Sequence, residues 1–581
     1  MRSKLLILVA VLMMASLFLG ACQPSGLEAG AAEKSLTMNL GPGDIPTIDP
    51  ALGTDTNSIQ VAVETFVGLT RQHEVTNEVE PGMATTWDIS DDGLVYTFHL
   101  RDDVPWVKYD ADKGKVVKVQ DCNKKDRMVT ADDFYYGIIR TLKPETASNY
   151  AYVLGMAIKG ANEFNIGDTT DPETVGVKVV DENTLEMTFL EPAVYNAAIA
   201  GMWVAFPQPS WLIDGDECTE AYGDAWADAG VFESYGPYTL KDWLHDESLT
   251  IIANPFWPGM DSAPKPKIGE VTFTMLDWGP ALAEYEAGNI EVTDAPLADM
   301  DRLKSDPVLS EELGINPYLC TYYYGFNTQA EYVDDVRVRR ALSMAIDRQS
   351  LIDNVTKGEQ TPAQWFSRPG LAGAPTLEKY PDLGVKYDPE AAKASLQEYL
   401  DESGMAAEDL DITLMFNTSE NHQKIAEAIQ AMWKDSLGIE VKVINQEWKV
   451  YLETIRSKET PQVYRLGWCL DYADANNFIR ENFVLGGSAN PGAVDDPTKP
   501  EGGISWYNEE FEKGVLDAVK ISDPDERMAK YADMEEILVW DDAAIAPIYW
   551  YTKVQVTKPT IDRTNSSGGQ EYIEKWDIVT E

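Results

Sequence analysis

The longest apolar run in the chain stands at its start, Leu5 to Gly20, behind Arg2 and Lys4. It is short for a membrane span, which takes about 20 residues. A basic flank, an apolar centre and small residues at 20 and 21 predict a secretory signal peptide over residues 1–21. "LGAC", Leu19 to Cys22, has the pattern of a lipoprotein processing site, so Cys22 is expected to carry a lipid and begin the mature chain. Residues 22–33 are rich in Gly, Ala, Ser and Pro and read as a lipidated, flexible tether. No second run of span length follows. The rest of the chain is therefore expected to fold in water outside the cytoplasm, where disulfides persist. It would meet the membrane only through its N-terminal lipid.

Five cysteines less Cys22 leave Cys122, Cys218, Cys320 and Cys469. Four cysteines allow three pairings, and spacing does not choose among them. At 581 residues the chain exceeds what one hydrophobic core supports, so two or three domains are expected. The formal net charge of −50 repels phosphate backbones and excludes nucleic acid as a partner. The 16 Trp and 27 Tyr are a generous stock for lining a pocket.

Local signals mix helices and strands. Residues 84–100 alternate apolar and polar around Asp92-Gly93 and predict a hairpin. Thr130 predicts the N-cap of a helix. Apolar residues at 338, 341, 342, 345 and 346 predict a helix within 334–355, opened by a capping Asp. Residues 421–448 predict a helix closing near Gly438 and then a strand. The fold class is α/β. Loops are expected near 109–127, 258–267, 366–384 and 486–503, the first as a charged, aperiodic insertion around Cys122.

The chemistry of an enzyme is hard to find. None of the four His is spaced as a zinc pair, and H-E-x-x-H, G-x-S-x-G and Walker A patterns are missing. "DISDDG", Asp88 to Gly93, begins like a calcium loop, but its twelfth position is His99 rather than a bidentate Glu. No metal, no cofactor and no catalysis are expected. One stretch does pose a chemical question. "RLGWCLDYADANNF", Arg465 to Phe478, holds Asp471 near Arg465. A buried carboxylate needs a partner. Arg465 is the candidate within the chain, and a ligand cation is the candidate outside it.

Several stretches resemble the bacterial family 5 extracellular solute-binding proteins, and within them the oligopeptide-binding receptors of ABC importers. They include "DGLVYTFHLRDDVPW" at 92–106, "YGPYTLKDW" at 235–243, "PYLCTYYYGFNTQ" at 317–329, "NTSENHQKIA" at 417–426, "NQEWKVYLETI" at 445–455, "RLGWCLDY" at 465–472 and "PIYWYTKVQVTKP" at 547–559. The resemblance covers nearly all of the mature chain in order. It implies a periplasmic-binding-protein-like, two-lobed clamp of class C, type II, with an extra inserted domain. Lobe I would comprise 34–64, 205–319 and 548–581, the extra domain 65–204, and lobe II 320–547.

The resemblance also implies a ligand, a short peptide held as an added strand between the lobes. Asp471 matches the residue that pairs with the peptide α-amino group. Gly467 and Cys469 match positions whose backbone pairs with the peptide. Arg465 matches the receiver of its C-terminal carboxylate, and His422 the receiver for a longer peptide. Tyr150 matches a hydroxyl donor to the peptide main chain. Trp448 and Trp468 match aromatic walls, and Tyr322, Tyr323 and Tyr549 are expected beside them. Cys320 and Cys469 match a disulfide pair, which implies Cys122–Cys218 as the second.

Some positions depart from the family pattern. Thr356 stands where a dipeptide-reading Lys is found in the family, with Lys357 adjacent, Gly325 replaces an acidic pocket residue, and a side-chain-pocket Arg of the family falls at Ile455 or Arg456. Peptide length and side-chain preference therefore do not transfer. The implied partners are an ABC permease and its ATPase subunits, and the implied state is a monomer at the outer face of the cytoplasmic membrane. Other readings are the same fold with another solute (an oligosaccharide, nickel chelate or opine), a peptide sensor without transport, or a surface enzyme.

Overall fold

Residues 34–493 and 496–579 are described by a computed structural model. The expected signal peptide, tether and lipidated Cys22 lie outside the described residues. The largest sheet has 11 strands. At one end lie Tyr238–Leu244, Ser248–Ala253, Glu270–Thr274, Ser35–Asn39 and Val292–Asp294; at the other lie Val463–Cys469, Thr413–Asn417 and Lys442–Gln446. Two long antiparallel strands, Leu313–Phe326 and Ile545–Thr557, run through the middle and carry the chain between the two ends. Their pairing is interrupted between Pro317 and Thr321, where Pro317 cannot donate to the ladder. The lobe boundaries expected at 319/320 and 547/548 fall within these two crossing strands.

A separate four-stranded antiparallel sheet is built from Ala84–Ile89, Val95–Leu100, Thr184–Thr188 and Val177–Asp181. Its first two strands form the hairpin read from the sequence, with Gly93 in the left-handed conformation that its turn requires. Helix Ala131–Leu142 packs on this sheet. Asp133 accepts the Thr130 backbone N–H at 2.9 Å, the reciprocal half of a capping box. The charged segment at 109–127 departs from expectation. It contains an antiparallel hairpin, Val107–Asp110 with Lys115–Lys118, turned at Gly114. Its alternation is masked because only Val107 and Val116 are buried.

Helix Glu420–Leu437 shows how the second half is organised. Ile425, Ala426, Ile429, Trp433 and Leu437 form its buried stripe, and Gly438 ends it in the left-handed conformation. Trp433 donates its indole N–H to Leu342 O at 2.7 Å. Strand Lys442–Gln446 follows, as expected. The helix expected over 334–355 is interrupted. Val336–Met344 and Arg348–Leu351 are separate helices, the first capped by Asp335 and the second by Asp347.

Candidate ligand-binding cleft

A cavity of about 330 Å³ lies between the two ends of the main sheet. Strand Val463–Cys469 forms its floor. Along one edge this strand pairs with Leu313–Phe326 from Phe326–Val463 to Cys320–Cys469. Along the other edge it pairs with Thr413–Asn417 only at Val463 and Tyr464. Among the described residues no strand pairs with that edge from Arg465 onward. Such an edge is a template for another strand. On the face of the strand, a Cβ at Gly467 would stand 3.1 Å from the Tyr551 hydroxyl and 3.4 Å from Arg465 Nη2, so Gly leaves those two groups their room.

The edge runs out at Asp471, which is 8% exposed. No Lys, Arg or His nitrogen lies within 4.0 Å of its carboxylate among the described residues. Asn477 Nδ2 donates to Oδ2 at 2.8 Å, and the Tyr150 hydroxyl lies 3.4–3.5 Å from both oxygens. Burial pushes the Asp471 carboxyl up to about 8, and the Glu481 carboxylate adds to the rise. Arg465, the candidate partner within the chain, points elsewhere. Its Nη1 donates to Asn417 Oδ1 at 3.1 Å and its Nη2 to the Tyr551 hydroxyl at 2.6 Å. The guanidinium lies 4.6 Å over the Tyr322 ring. It too has no carboxylate partner among the described residues. The cleft thus presents a buried guanidinium and a buried carboxyl group, neither with an ion-pair partner among the described residues.

Asn477 organises the carboxylate end. It sits in the first turn of helix Ala475–Phe483, whose N-cap Asp474 is clamped by Arg527 at 2.6 and 2.8 Å. Its Oδ1 receives the Asp471 backbone N–H at 3.0 Å and the Trp468 indole N–H at 3.1 Å. Asn477→Ala would leave both donors and the carboxylate without it. Buried donors so stranded cost about 1–3 kcal/mol each. The expected outcome is a lowered unfolding free energy together with weaker ligand binding. Chemical denaturation and calorimetric titration check it; unchanged binding would remove Asn477 from the site.

Of the residues expected from the sequence, Tyr150, His422, Trp448, Arg465, Gly467, Trp468, Cys469, Asp471 and Tyr549 line one cavity. Tyr150 and Trp468 stack at 6.2 Å with planes 7° apart. His422 is held in its neutral form, pushed well down by burial and by the Arg465 charge. Tyr322 and Tyr323 do not line the cavity. Tyr322 lies one layer below, supporting Arg465. Tyr323 points to the opposite face of its strand and packs on Phe366 and Phe483 at 5.1 and 6.0 Å. Adjacent residues of a strand face opposite ways, so both could not serve one site. Both disulfides implied by the family resemblance form, Cys320–Cys469 across neighbouring strands and Cys122–Cys218 at the surface.

Sequence reading missed Asn417, Asn477 and Tyr551, whereas Arg456, one of two positions at which the resemblance puts a side-chain-pocket Arg, does line the cavity. Tyr551 was within reach, because it is two residues from Tyr549 on one strand and so shares its face. Nothing local marks the other two.

The cleft has counterparts in known proteins. The sequence profile of the bacterial extracellular solute-binding proteins, family 5 Middle, matches residues 78–490. The periplasmic oligopeptide-binding protein OppA of Escherichia coli is 30% identical over 559 residues, 95% of this chain and 93% of its own. An OppA of Haemophilus influenzae, in complex with the peptide RPPGFSPFR, superposes with a TM-score of 0.79 at 25% identity, over 95% of this chain and all of the other. The murein tripeptide-binding protein MppA of Escherichia coli superposes with a TM-score of 0.80 at 30% identity, covering 95% of this chain and all of its own. Its unliganded open form reaches only 0.59, over 96% of this chain and 99% of its own. The lobes here are therefore not arranged as in that open form. The α/β clamp, its strand order and the profile match agree that the chain belongs to the family 5 bacterial extracellular solute-binding proteins.

Proposed function

We propose that this protein is the extracytoplasmic receptor of an ABC importer and captures short peptides between its lobes. Lipid attached at Cys22 anchors it to the outer face of the cytoplasmic membrane, and it delivers its ligand, as a monomer, to a permease driven by ATPase subunits. One arrangement carries this reading: a free strand edge that ends on a buried carboxylate with no counter-ion among the described residues. An extended peptide completes the edge with main-chain hydrogen bonds, which read no side chains. Its α-ammonium supplies the cation that Asp471 lacks, and its carboxylate supplies the anion that Arg465 lacks. A sugar offers neither charge. Relatives named for peptide binding support the choice. None of the described helices is long and apolar enough to cross a membrane.

The closed cleft also implies a closing mechanism. The crossing strands, with their break at Pro317–Thr321, are where the halves would hinge. Asp471 and Arg465 would be hydrated in an open cleft and stripped of water in a closed one. Ligand charges would offset that cost, so closure follows capture.

The test is calorimetric titration with a tripeptide in three forms: free, N-acetylated and C-amidated. Acetylation removes the ammonium and is expected to weaken binding about 30-fold or more, in line with losing one partner of a buried charge pair. Amidation is expected to cost less, because Arg465 keeps Asn417 and Tyr551. Equal affinity for free and acetylated peptide would overturn the assignment of the amine to Asp471.

A further inference from the structure

Asp471 follows its strand on a bend, outside any strand or helix. Its backbone therefore has no ladder to fix it, and the carboxylate points wherever that backbone turns. Asn477, six residues on, takes the Asp471 backbone N–H at 3.0 Å and donates to the carboxylate. The carbonyl is held from elsewhere. Gln72 Nε2 donates to Asp471 O at 2.5 Å from 399 residues away in sequence. No other donor reaches that carbonyl among the described residues.

Gln72 ends strand Thr70–Gln72, which pairs with Val79–Pro81. The strand is well anchored. Its Arg71 is buried, pairs with Glu574 at 2.7 Å and lies 4.0 Å over the Tyr572 ring. A side-chain amide offers donors at one end and an acceptor at the other. Against a carbonyl it must present Nε2, because Oε1 there would set two acceptors face to face. Gln72 Oε1 is buried and has no partner among the described residues, and the same holds for Arg71 Nη2. Both residues line a second cavity, of about 50 Å³, which Asp471 also lines. That volume has room for water. A water that takes the Arg71 N–H and donates to Gln72 Oε1 would keep the amide turned this way.

The hold crosses the cleft. Gln72 and Tyr150 both belong to the segment expected as the inserted domain, and both reach Asp471 in the second half of the chain, one at its carbonyl and one at its carboxylate. Asp471 is thus gripped at its N–H by Asn477 and at its C=O by Gln72. Released at the carbonyl, the bend is free to turn, and the carboxylate turns with it. We infer that Gln72 is a positioning residue for the amine seat: it fixes the Asp471 carbonyl so that the carboxylate meets a peptide α-ammonium at the end of the free edge. This rests on the peptide reading of the cleft and deepens it, by giving the inserted segment a share in reading the amine.

The test uses Gln72→Met, which keeps the length of the side chain and loses its donor, and Gln72→Glu, whose carboxylate can only accept. Calorimetric titration with Ala-Ala-Ala and its N-acetylated form is run on the full mature protein and both variants, beside ligand-free melting curves. Gln72→Met is expected to weaken the free peptide about tenfold, the scale of a buried carbonyl left without its donor. The acetylated peptide, which has no ammonium to seat, is expected to change by less than about threefold, so the preference for the free form shrinks. Gln72→Glu is expected to shrink it at least as far. The ligand-free melting temperature is expected to move little, because water can take the place of Nε2 in an open cleft. Equal weakening of both peptides would make Gln72 a closing contact only, and unchanged affinity would remove it from the site; either result overturns the inference. A lowered ligand-free melting temperature with an unchanged preference makes Gln72 structural and overturns it equally. If the natural protein binds both peptides alike, the amine seat fails, and if it binds neither, the peptide reading fails; each takes this inference with it.

Discussion

Asp471→Asn is expected to weaken peptide binding by about 2–5 kcal/mol, the usual result of removing one partner of a buried charge pair, while the protein still folds. Folding survives because an amide at 471 can accept the Asn477 Nδ2 hydrogen bond now made at 2.8 Å. Binding does not, because an amide offers an ammonium no opposite charge. The same change should act on the empty protein. In the closed cleft burial holds the Asp471 carboxyl at about 8, against an ordinary value of 3.8. In an open, hydrated cleft it should lie near the ordinary value. Closing the empty cleft between these two pH values therefore takes up a proton.

The sign follows from that uptake. A group raised in the closed form favours closure below its open value, and that support is lost as pH rises through about 8. Empty closure should thus be easier at pH 5 than at pH 8. At the upper end the penalty is on the order of 5 kcal/mol, since each pH unit between the open and closed values contributes about 1.4 kcal/mol. Asp471→Asn removes the carboxyl and should flatten the dependence. Small-angle scattering of the ligand-free protein at both pH values measures the closed fraction, and titration with free and N-acetylated peptide measures the anchor. A mutant that binds free peptide as tightly as the natural protein would sink the assignment.

Removing the Cys320–Cys469 bridge should have the next largest effect. The two residues are direct neighbours across antiparallel strands, 4.0 Å apart at Cα, yet 149 residues apart in sequence. Opening so long a loop in the unfolded chain typically costs a native protein about 2–5 kcal/mol. The bridge also pins the end of the free edge, since Cys469 lines the cleft two residues before Asp471. Cys320→Ser with Cys469→Ser should therefore lower the melting temperature and weaken binding together. The Cys122–Cys218 bridge joins exposed segments. Access makes it the first to yield to reductant, with little effect on the cleft. Thiol titration of the soluble form lacking Cys22 should count none in the native state, two after mild reduction and four after reduction in denaturant. Four thiols in the untreated protein would refute both bridges.

Much of the fold was legible because its signals are local. The hairpin at 84–100 needs only alternation and a Gly at its turn. The helix ending at Gly438 needs only an apolar stripe and a residue that tolerates positive φ. Where neighbours are distant, local reading failed. The hairpin at 107–118 looked like an insertion because it buries too little to show alternation. Tyr322 and Tyr323 looked alike in "TYYYG", since strands buried on both faces carry no polar marker of parity. Only their register with Gly467 and Leu466 places one under Arg465 and the other in the core.

The residues of the cleft were mostly legible, but their reason for being there was not. The residues alone establish an exported pattern at the N-terminus, an acidic composition, an α/β chain and, through resemblance, a carboxylate and a guanidinium six residues apart as ligand-binding groups. Whether those two charges satisfy each other could not be read from residues six apart. The packing of the folded chain answers it. Arg465 turns to Asn417 and Tyr551, brought from two other strands, and Asp471 turns to Asn477 and Tyr150, brought from a following helix and from the N-terminal half. Burial and the want of a counter-ion are properties of what surrounds a group, and here the surroundings come from segments up to 321 residues away.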